Sequence, residues 1–343
     1  MVDRLRVTEL DFDTIKTNLR SFLQQQDTFS DYDFEGSSLS VLLDILAYNT
    51  HYNAYYLNMV ANESFIDTAV LRDSVVSLAK SLGYVPFSIK APLATVNFTA
   101  NSSSSTTGTL TVPRGFGFVS EQIDNKTYNF VVLQDTLVTK SNSKYTFSNL
   151  EISEGQIVSY NFTHNALNNP KQVFTLPDSN IDTNTIKVDV VPNISNTAVS
   201  TYSKVTDILD VGPLSDVYFL QEGKNGQFQV YFGNGSVGRK LNDGATVSVS
   251  YLVTNGTAAN KANNFVPSAS AVDSLGEDLQ DLSTIPVSAA SGGSSRETVD
   301  SIKFSAPNQF TTQNRLVTKK DYETFIVKEL PSVEAISVWG GEE

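Results

Sequence analysis

VYFLQEGKNGQFQVYFGNGSVGRKLNDGATVSVSYLVTNGTAAN, residues 217–260, is the stretch that decides the fold. Within it, residues 233–238 read GxGxxG, a spacing that holds a dinucleotide phosphate when a strand precedes it and a helix follows. No helical period follows here, and no acid lies about 20 residues further on to bind a ribose. The glycines are therefore predicted to make a tight connection between antiparallel strands. The stretch as a whole predicts a meander of three strands, at residues 217–221, 228–232 and 245–253.

Size and charge limit the classes of partner. The chain has 343 residues, enough for two or three domains with separate cores. Asp and Glu number 37 against 24 Lys and Arg, a net charge of −13, so we expect no nucleic-acid partner. There is no cysteine for disulfides or thiolate metal sites. No apolar run approaches the roughly 20 residues of a membrane span, and we expect no membrane partner.

The first 90 residues predict a helical interaction domain with three helices. Asp11 or Asp13 is placed to cap the first helix, and Gly83 stands where a left-handed residue ends the third. The second helix is predicted to follow Ser37 and to run to about Asn62. Its apolar residues form a stripe too wide for one contact, which predicts a helix covered on two sides.

The acidic turn at residues 31–36 resembles the beginning of a calcium loop, but Leu42 occupies the twelfth position, where that loop needs a glutamate. We therefore predict no metal site. The acids are better explained by the dipole of the following helix, with Tyr32 and Phe34 packing inward.

The middle of the chain, residues 91–275, predicts a β-rich antiparallel domain. Short runs of β-branched and aromatic residues recur between turn signals, a pattern typical of a sandwich or an open barrel. The polar stretch LGEDLQDLSTIPVSAASGGSS leads to Gly292-Gly293, and we interpret residues 276–295 as a connector.

Residues 296–343 predict a short α/β segment, which makes the whole chain α+β. A short helix is expected near Ile302, and Thr318 with Asp321 is placed to form a capping box for another, with Tyr322 on its buried face. Residues 333–339 alternate as a strand. A lone strand needs neighbours, so we expect either that the natural chain continues or that another subunit completes the sheet.

No constellation of catalytic residues stands out. His51 and His164 are the two histidines, and neither a GxSxG nor an HExxH motif occurs. Carboxylates are plentiful, but nothing singles out a pair for acid–base chemistry. We expect no enzymatic activity, no cofactor and no metal.

Three blocks resemble proteins of contractile phage tails. DYDFEGSSLSVLLDILAYNTHYNAYYLNMVANESFIDTAVLRDSVVSLAKSLGYVP, residues 31–86, is similar to the N-terminal region of baseplate wedge proteins of T-even-type phages. YFGNGSVGRKLNDGATVSVSYLVTNG, residues 231–256, and the element at residues 314–338 resemble the baseplate-J-like family.

This resemblance implies a structural subunit of the virion baseplate, assembled in the host cytoplasm. It implies a second copy of the chain, a helical wedge subunit, a lysozyme-like sheath-initiator subunit and other baseplate proteins as partners. The subunits would close into a ring around the tail tube and relay the trigger for sheath contraction. The alternative is a virion-surface or secreted module that binds a glycan or receptor, which predicts an exposed aromatic cluster on the β domain.

Aromatic residues with a polar tip are enriched at protein interfaces, although core packing explains each of them equally well. For an arginine in the C-terminal segment, pairing with a carboxylate is the competing explanation. The predicted interface residues are Tyr32, Phe34, Tyr48, Tyr52, Tyr55, Tyr56, Arg315 and Tyr322.

Overall fold

The structure is a computed structural model, and its contacts divide the chain into two compact units. One unit is Met1–Tyr84 with Val299–Phe310, and the other is Val85–Thr298 with Thr311–Glu343. The described residues are 11–26, 37–104, 106–192, 198–205, 210–279, 281–312, 315–329 and 335–340. Tyr32, Phe34 and the acidic turn around them lie outside these residues.

The described residues contain five α-helices, and the predicted fold class, α+β, is confirmed. The helices are α1 (Phe12–Gln24), α2 (Ser38–Glu63), α3 (Arg72–Ser81), α4 (Val299–Thr312) and α5 (Lys319–Glu329). The Asp11 carboxylate caps α1 by accepting a hydrogen bond from the Thr14 amide at 2.9 Å. Gly83 follows α3 with φ +76°, the left-handed conformation predicted for it.

A capping box begins α5, as the sequence predicts. The Thr318 hydroxyl accepts a hydrogen bond from the Asp321 amide at 3.3 Å, and the Asp321 carboxylate accepts one from the Thr318 amide at 2.8 Å. Its side chains depart from the prediction, because Tyr322 and Phe325 are both exposed rather than buried.

Seventeen strands follow one another through the described residues of the β-rich unit, among them the three predicted at residues 217–221, 228–232 and 245–253. They are β1 (Leu93–Asn101), β2 (Thr109–Val112), β3 (Gly117–Ser120), β4 (Asn129–Val132), β5 (Thr136–Thr139), β6 (Lys144–Glu154), β7 (Gln156–Thr163), β8 (Val173–Thr175), β9 (Ile181–Val191), β10 (Ser200–Lys204), β11 (Val217–Glu222), β12 (Phe228–Phe232), β13 (Thr246–Val253), β14 (Phe265–Pro267), β15 (Ala271–Val272), β16 (Asp278–Leu279) and β17 (Leu282–Ser291).

The first large sheet has six antiparallel strands in the order β14-β3-β4-β6-β1-β17. The Thr284 hydroxyl on β17 donates a hydrogen bond to the Phe265 carbonyl on β14, so the two edges meet and the sheet curls towards closure. Alternate residues of β1 point into the interior, where the Phe98 ring packs 5.7 Å from the Phe118 ring. Burial of these aromatic rings supplies most of the core of this sheet.

The second large sheet has seven strands in the order β7-β13-β9-β10-β11-β12-β8. All its neighbours are antiparallel except β10 and β11, which run parallel. Val247, Val249 and Tyr251 on the central strand β13 are fully buried in its core. The Phe162 ring on β7 lies 5.0 Å from the Phe174 ring on β8, so the edges of this sheet also approach one another.

The predicted meander of residues 217–260 is only half right. β11 and β12 form the expected antiparallel pair, but β13 lies between β7 and β9 and does not pair with β12. The glycine-rich connection therefore crosses from one part of the sheet to another. Gly235 and Gly238 have φ of +89° and +76°, as a tight turn requires, and a Cβ on Gly233 would lie 2.3 Å from the Gly238 backbone.

Two predictions for the last 70 residues are wrong. The interpreted connector at residues 276–295 contains β17, which pairs with β1 over most of its length. Its small residues and Pro286 conceal the alternation that marks a strand, because a strand beside a curled edge needs few large side chains. The predicted strand at residues 333–339 is not found in its described part, since residues 335–340 have no regular secondary structure.

A buried polar junction joins the two large sheets where β6 passes into β7. The Glu154 carboxylate accepts hydrogen bonds from the Thr254 hydroxyl at 2.5 Å, the Asn255 amide at 3.0 Å and the Asn255 side chain at 2.7 Å. The Arg114 guanidinium donates to the Thr185 carbonyl at 3.0 Å. Burial lowers the pKa of Arg114, and nearby Asp189 opposes that shift. These bonds tie the ends of strands from one sheet to turns of the other.

Candidate interface on helix α2

Helix α2 places its small residues inward. Its buried positions are Ser40, Leu43, Ala47, Ala54 and Asn58, which recur at three- or four-residue steps or their sum. At 100° per residue these positions form one narrow stripe along a helix of 26 residues, about 39 Å long. Only one large aliphatic side chain of α2 is therefore buried by the rest of this chain.

The opposite side of α2 carries large apolar residues that are exposed. They form a second stripe centred on Tyr52, and each has between 41% and 58% of its surface exposed. We call the α2 stripe the seven residues Val41, Ile45, Tyr48, Tyr52, Tyr55, Tyr56 and Met59. A contiguous apolar surface of this size is typical of an interaction site rather than of a free surface.

The tyrosines of the α2 stripe organise one another. The Tyr48 hydroxyl donates a hydrogen bond to the Tyr52 hydroxyl at 3.0 Å, and their ring centroids lie 4.6 Å apart. Tyr52 and Tyr56 follow at 6.3 Å, one helical turn further on. The hydrogen bond with Tyr48 raises the pKa of Tyr52, so the Tyr52 hydroxyl stays protonated and neutral near pH 7. The rings thus present a preformed aromatic surface to a partner.

The α2 stripe carries no charged residue. The carboxylates of the helix are Asp44 and Glu63, and both have partners within the same unit. Asp44 pairs with Lys16 of α1, and Glu63 accepts a hydrogen bond from the Val70 amide at 2.8 Å. In a chain with a net charge of −13, a neutral aromatic surface matches the charge depletion found at the centre of protein interfaces.

The structure brings some of the predicted interface residues together and separates others. Tyr48, Tyr52, Tyr55 and Tyr56 lie in the α2 stripe. Arg315 and Tyr322 are exposed but belong to the other compact unit. Sequence reasoning omitted Val41, Ile45 and Met59 from the interface, although their helical spacing from the tyrosines was a usable signal.

The described residues offer few features of a metal site or a catalytic site. Within them, no three His, Cys, Asp or Glu side chains are grouped as metal ligands. His164 is buried, and neither of its ring nitrogens has a hydrogen-bond partner among the residues described. None of the described helices is both long enough and apolar enough to cross a membrane.

Comparison with known proteins identifies the helical region. Residues 11–84 match the family model described as baseplate wedge protein gp6-like, helical domain. The N-terminal region is therefore similar to the helical domain of gp6-like baseplate wedge proteins. The chain is also 31% identical over 351 residues to baseplate wedge protein gp6 of Enterobacteria phage T4, covering 94% of this chain and 50% of that protein. The predicted resemblance to wedge proteins of T-even-type phages is thereby confirmed.

The chain spans half the length of this T4 relative. A chain in the cryo-EM structure of the anti-feeding prophage baseplate aligns with 10% identity and a TM-score of 0.31, over 95% of this chain and 66% of that one. Such a score is too low to carry an argument about the fold. The sequence relationship alone supports a structural role in the virion tail baseplate.

Proposed function

We propose that this chain is a non-enzymatic baseplate wedge subunit and that the α2 stripe is the surface by which it binds its neighbours. The observation that carries the proposal is the inverted burial of α2, which covers mainly small residues and leaves large apolar ones exposed, the seven of the α2 stripe among them. The partners we propose are a second copy of this chain, a helical wedge subunit and a lysozyme-like sheath-initiator subunit. Together they form a ring around the tail tube and relay the trigger for contraction.

An aromatic helical surface suits such an assembly because its binding free energy comes from burying apolar surface area rather than from pairing charges. A tyrosine has about 150–250 Å² of surface, so covering the exposed 41% of Tyr52 buries about 80 Å². At about 25 cal/mol per Å² this contributes about 2 kcal/mol of gross binding free energy. Seven such residues supply enough to offset the entropy lost on association.

The glycan-binding alternative finds less support. It predicts an exposed aromatic cluster on the β-rich unit, but Tyr160 is the one exposed aromatic side chain among the described residues between 85 and 298. Four exposed tyrosines lie together on α2 instead, and other exposed aromatic side chains lie outside the β strands, on α1, α4 and α5, at Phe65 and at Trp339. This distribution favours subunit assembly over sugar recognition.

The proposal is tested by placing one charge on either side of α2. Tyr52→Glu puts a carboxylate in the α2 stripe, and Thr50→Glu puts it at another exposed position about 160° away around the helix. We expect Tyr52→Glu to weaken association with baseplate proteins by at least about 100-fold, or about 2.7 kcal/mol. Both variants should unfold within about 0.5 kcal/mol of the unaltered chain, because both positions are exposed.

The measurement is sedimentation velocity of the full chain mixed with the wedge proteins of its own particle. Equal binding by Tyr52→Glu and the unaltered chain would contradict the proposal. An equal loss in Thr50→Glu would show that the added charge, and not its place in the α2 stripe, prevents association.

A further inference from the structure

Strand β7 is an edge of the second sheet, and its sequence lacks the usual protection against pairing with another strand. Among the described strands, β13 is its one hydrogen-bonded neighbour in that sheet, and the β7 sequence QIVSYNFT contains neither a charge nor a proline. Proteins usually protect edge strands with charged residues, prolines or bulges, because the free backbone groups pair readily with another chain. β7 is eight residues long and carries none of the charges or prolines that prevent such pairing.

The core side of β7 is incompletely covered. Tyr160 lies opposite Val249 in the antiparallel register, so their side chains lie on the same face of the sheet. Val249 is 0% exposed, whereas Tyr160 is 43% exposed. Phe162 and Val158, on the same face, pack against the core but are only partly buried. The core of this sheet therefore lacks a cover along β7.

The backbone groups of four β7 residues face the open side. The His164 amide donates to the Ala245 carbonyl at 2.7 Å, which fixes the alternation of the ladder between β7 and β13. Even-numbered residues of β7 therefore bond to β13, and odd-numbered residues point away from it. Among the described residues, the backbone groups of Ser159 and Asn161 have no hydrogen-bond partner on that side.

A cleft of about 720 Å³ opens beside the first residues of β7. Gln156 and Val158 form one wall, and Asp178 and Asn180 belong to the segment that follows β8. Most of the lining is carboxamide and hydroxyl side chains, which satisfy a polar backbone as well as polar side chains. The cleft thus reaches the N-terminal part of β7.

The other edge of the same sheet is closed. The Asn169 side chain donates to the Val173 carbonyl at 2.9 Å and accepts from the Val173 amide at 3.2 Å. This carboxamide occupies the backbone groups that a further strand would need on β8. Among the described strands of this sheet, β7 is therefore the longer edge whose outward backbone groups are free for pairing.

We propose that β7 accepts an extended segment of a different subunit, which adds a strand to the second sheet and enters the cleft. The segment has apolar residues at alternate positions to cover Tyr160 and Phe162, and it has no acidic residues. The net charge of −13 favours a segment with basic residues over an acidic one, and a second copy of β7 brings no basic residue to the edge. Strand addition of this kind draws its affinity from main-chain hydrogen bonds and its specificity from alternate side chains.

Asn161→Pro tests the proposal with Asn161→Ala as its control. Proline removes an outward amide that makes no bond to β13, and prolines are tolerated on edge strands. Both variants should keep the melting temperature of the unaltered chain to within a few degrees. We expect Asn161→Pro alone to lower incorporation of the full chain into baseplates at least about tenfold, since one ladder bond and the approach of a strand are lost.

Hydrogen exchange of the full chain, free and within isolated baseplates, provides the second measurement. The amides of Ser159 and Asn161 should exchange at least about 100-fold more slowly in the baseplate, while those of Val158 and Tyr160 are protected in both states. Unchanged exchange at Ser159 and Asn161 would overturn the proposal. Equal protection in a dimer of this chain alone would overturn the choice of partner.

This inference rests on the proposed baseplate role, but the two fail differently. If the chain is not a wedge subunit, neither Tyr52→Glu nor Asn161→Pro alters any assembly. If only the strand-addition proposal is wrong, the chain still enters baseplates through the α2 stripe, and the β7 edge stays open to exchange there.

Discussion

Removing the buried Glu154 carboxylate should destabilise the β-rich unit more than removing an exposed glutamate carboxylate from the same strand. The side chain is 1% exposed and accepts hydrogen bonds from the Thr254 hydroxyl and from two Asn255 donors. Thr254 is buried, so Glu154→Ala leaves its hydroxyl unsatisfied at a cost of about 1–3 kcal/mol. Asn255 is exposed and water replaces its lost partner, so a further 1 kcal/mol or so is expected from the weaker turn.

We therefore expect the free energy of unfolding to fall by about 3 kcal/mol. With an m-value of about 2–3 kcal/mol/M, the urea midpoint of the β-rich unit should fall by about 1 M, measured by circular dichroism. Glu151→Ala is the control, because Glu151 lies on the same strand and is exposed. A loss below 1 kcal/mol, or the same loss in both variants, would refute the reasoning that this junction stabilises the pairing of the two sheets.

Two further predictions concern buried polar groups. Burial lowers the pKa of His164 below its usual value, so only the unfolded chain takes up a proton as the pH falls below about 6.5. The free energy of unfolding is therefore unaffected by His164 above that pH and falls below it, by up to about 1.4 kcal/mol per pH unit. His164→Phe should reduce the slope of stability against pH in the acid range. An unchanged slope would contradict this. Asn260→Ala should cost about 2 kcal/mol in urea unfolding, because the carboxamide bonds both the Gly293 amide and carbonyl at 3.0 Å, and a cost near zero would show that water replaces it.

Sequence patterns predicted where helices and strands lie better than they predicted which strands pair with one another. Periodicity located three N-terminal helices and the strands at residues 217–221, 228–232 and 245–253, because local side-chain alternation reports which residues face a core. It missed β17, whose small residues and proline carry little alternation, and it placed β13 next to β12. Pairing between distant strands depends on how the sheets curl, which local patterns do not encode.

Part of the candidate interface could be predicted from the sequence. Aromatic residues on α2 marked a surface of interest, but both sides of the helix carry apolar residues, and hydropathy alone does not tell which side is buried. The structure shows that Ala47 and Ala54 face inward while Tyr52 faces out, because close approach of helices favours small residues at the contact. The open edge at β7 had no sequence signal, since it follows from sheet order.

The helical unit is built from two separated pieces of chain, and this affects how the molecule can be divided. Ile302 and Ala306 of α4 are fully buried with Val75 and Ala79 of α3, so a fragment that stops near residue 90 lacks a wall of its own core. The β-rich stretch between them begins and ends side by side, with Lys90 bridged to Ser294. The β-rich stretch is thus inserted between the two pieces of the helical unit, so a fragment of the helical unit needs both pieces, rejoined by a short link, rather than a single truncation.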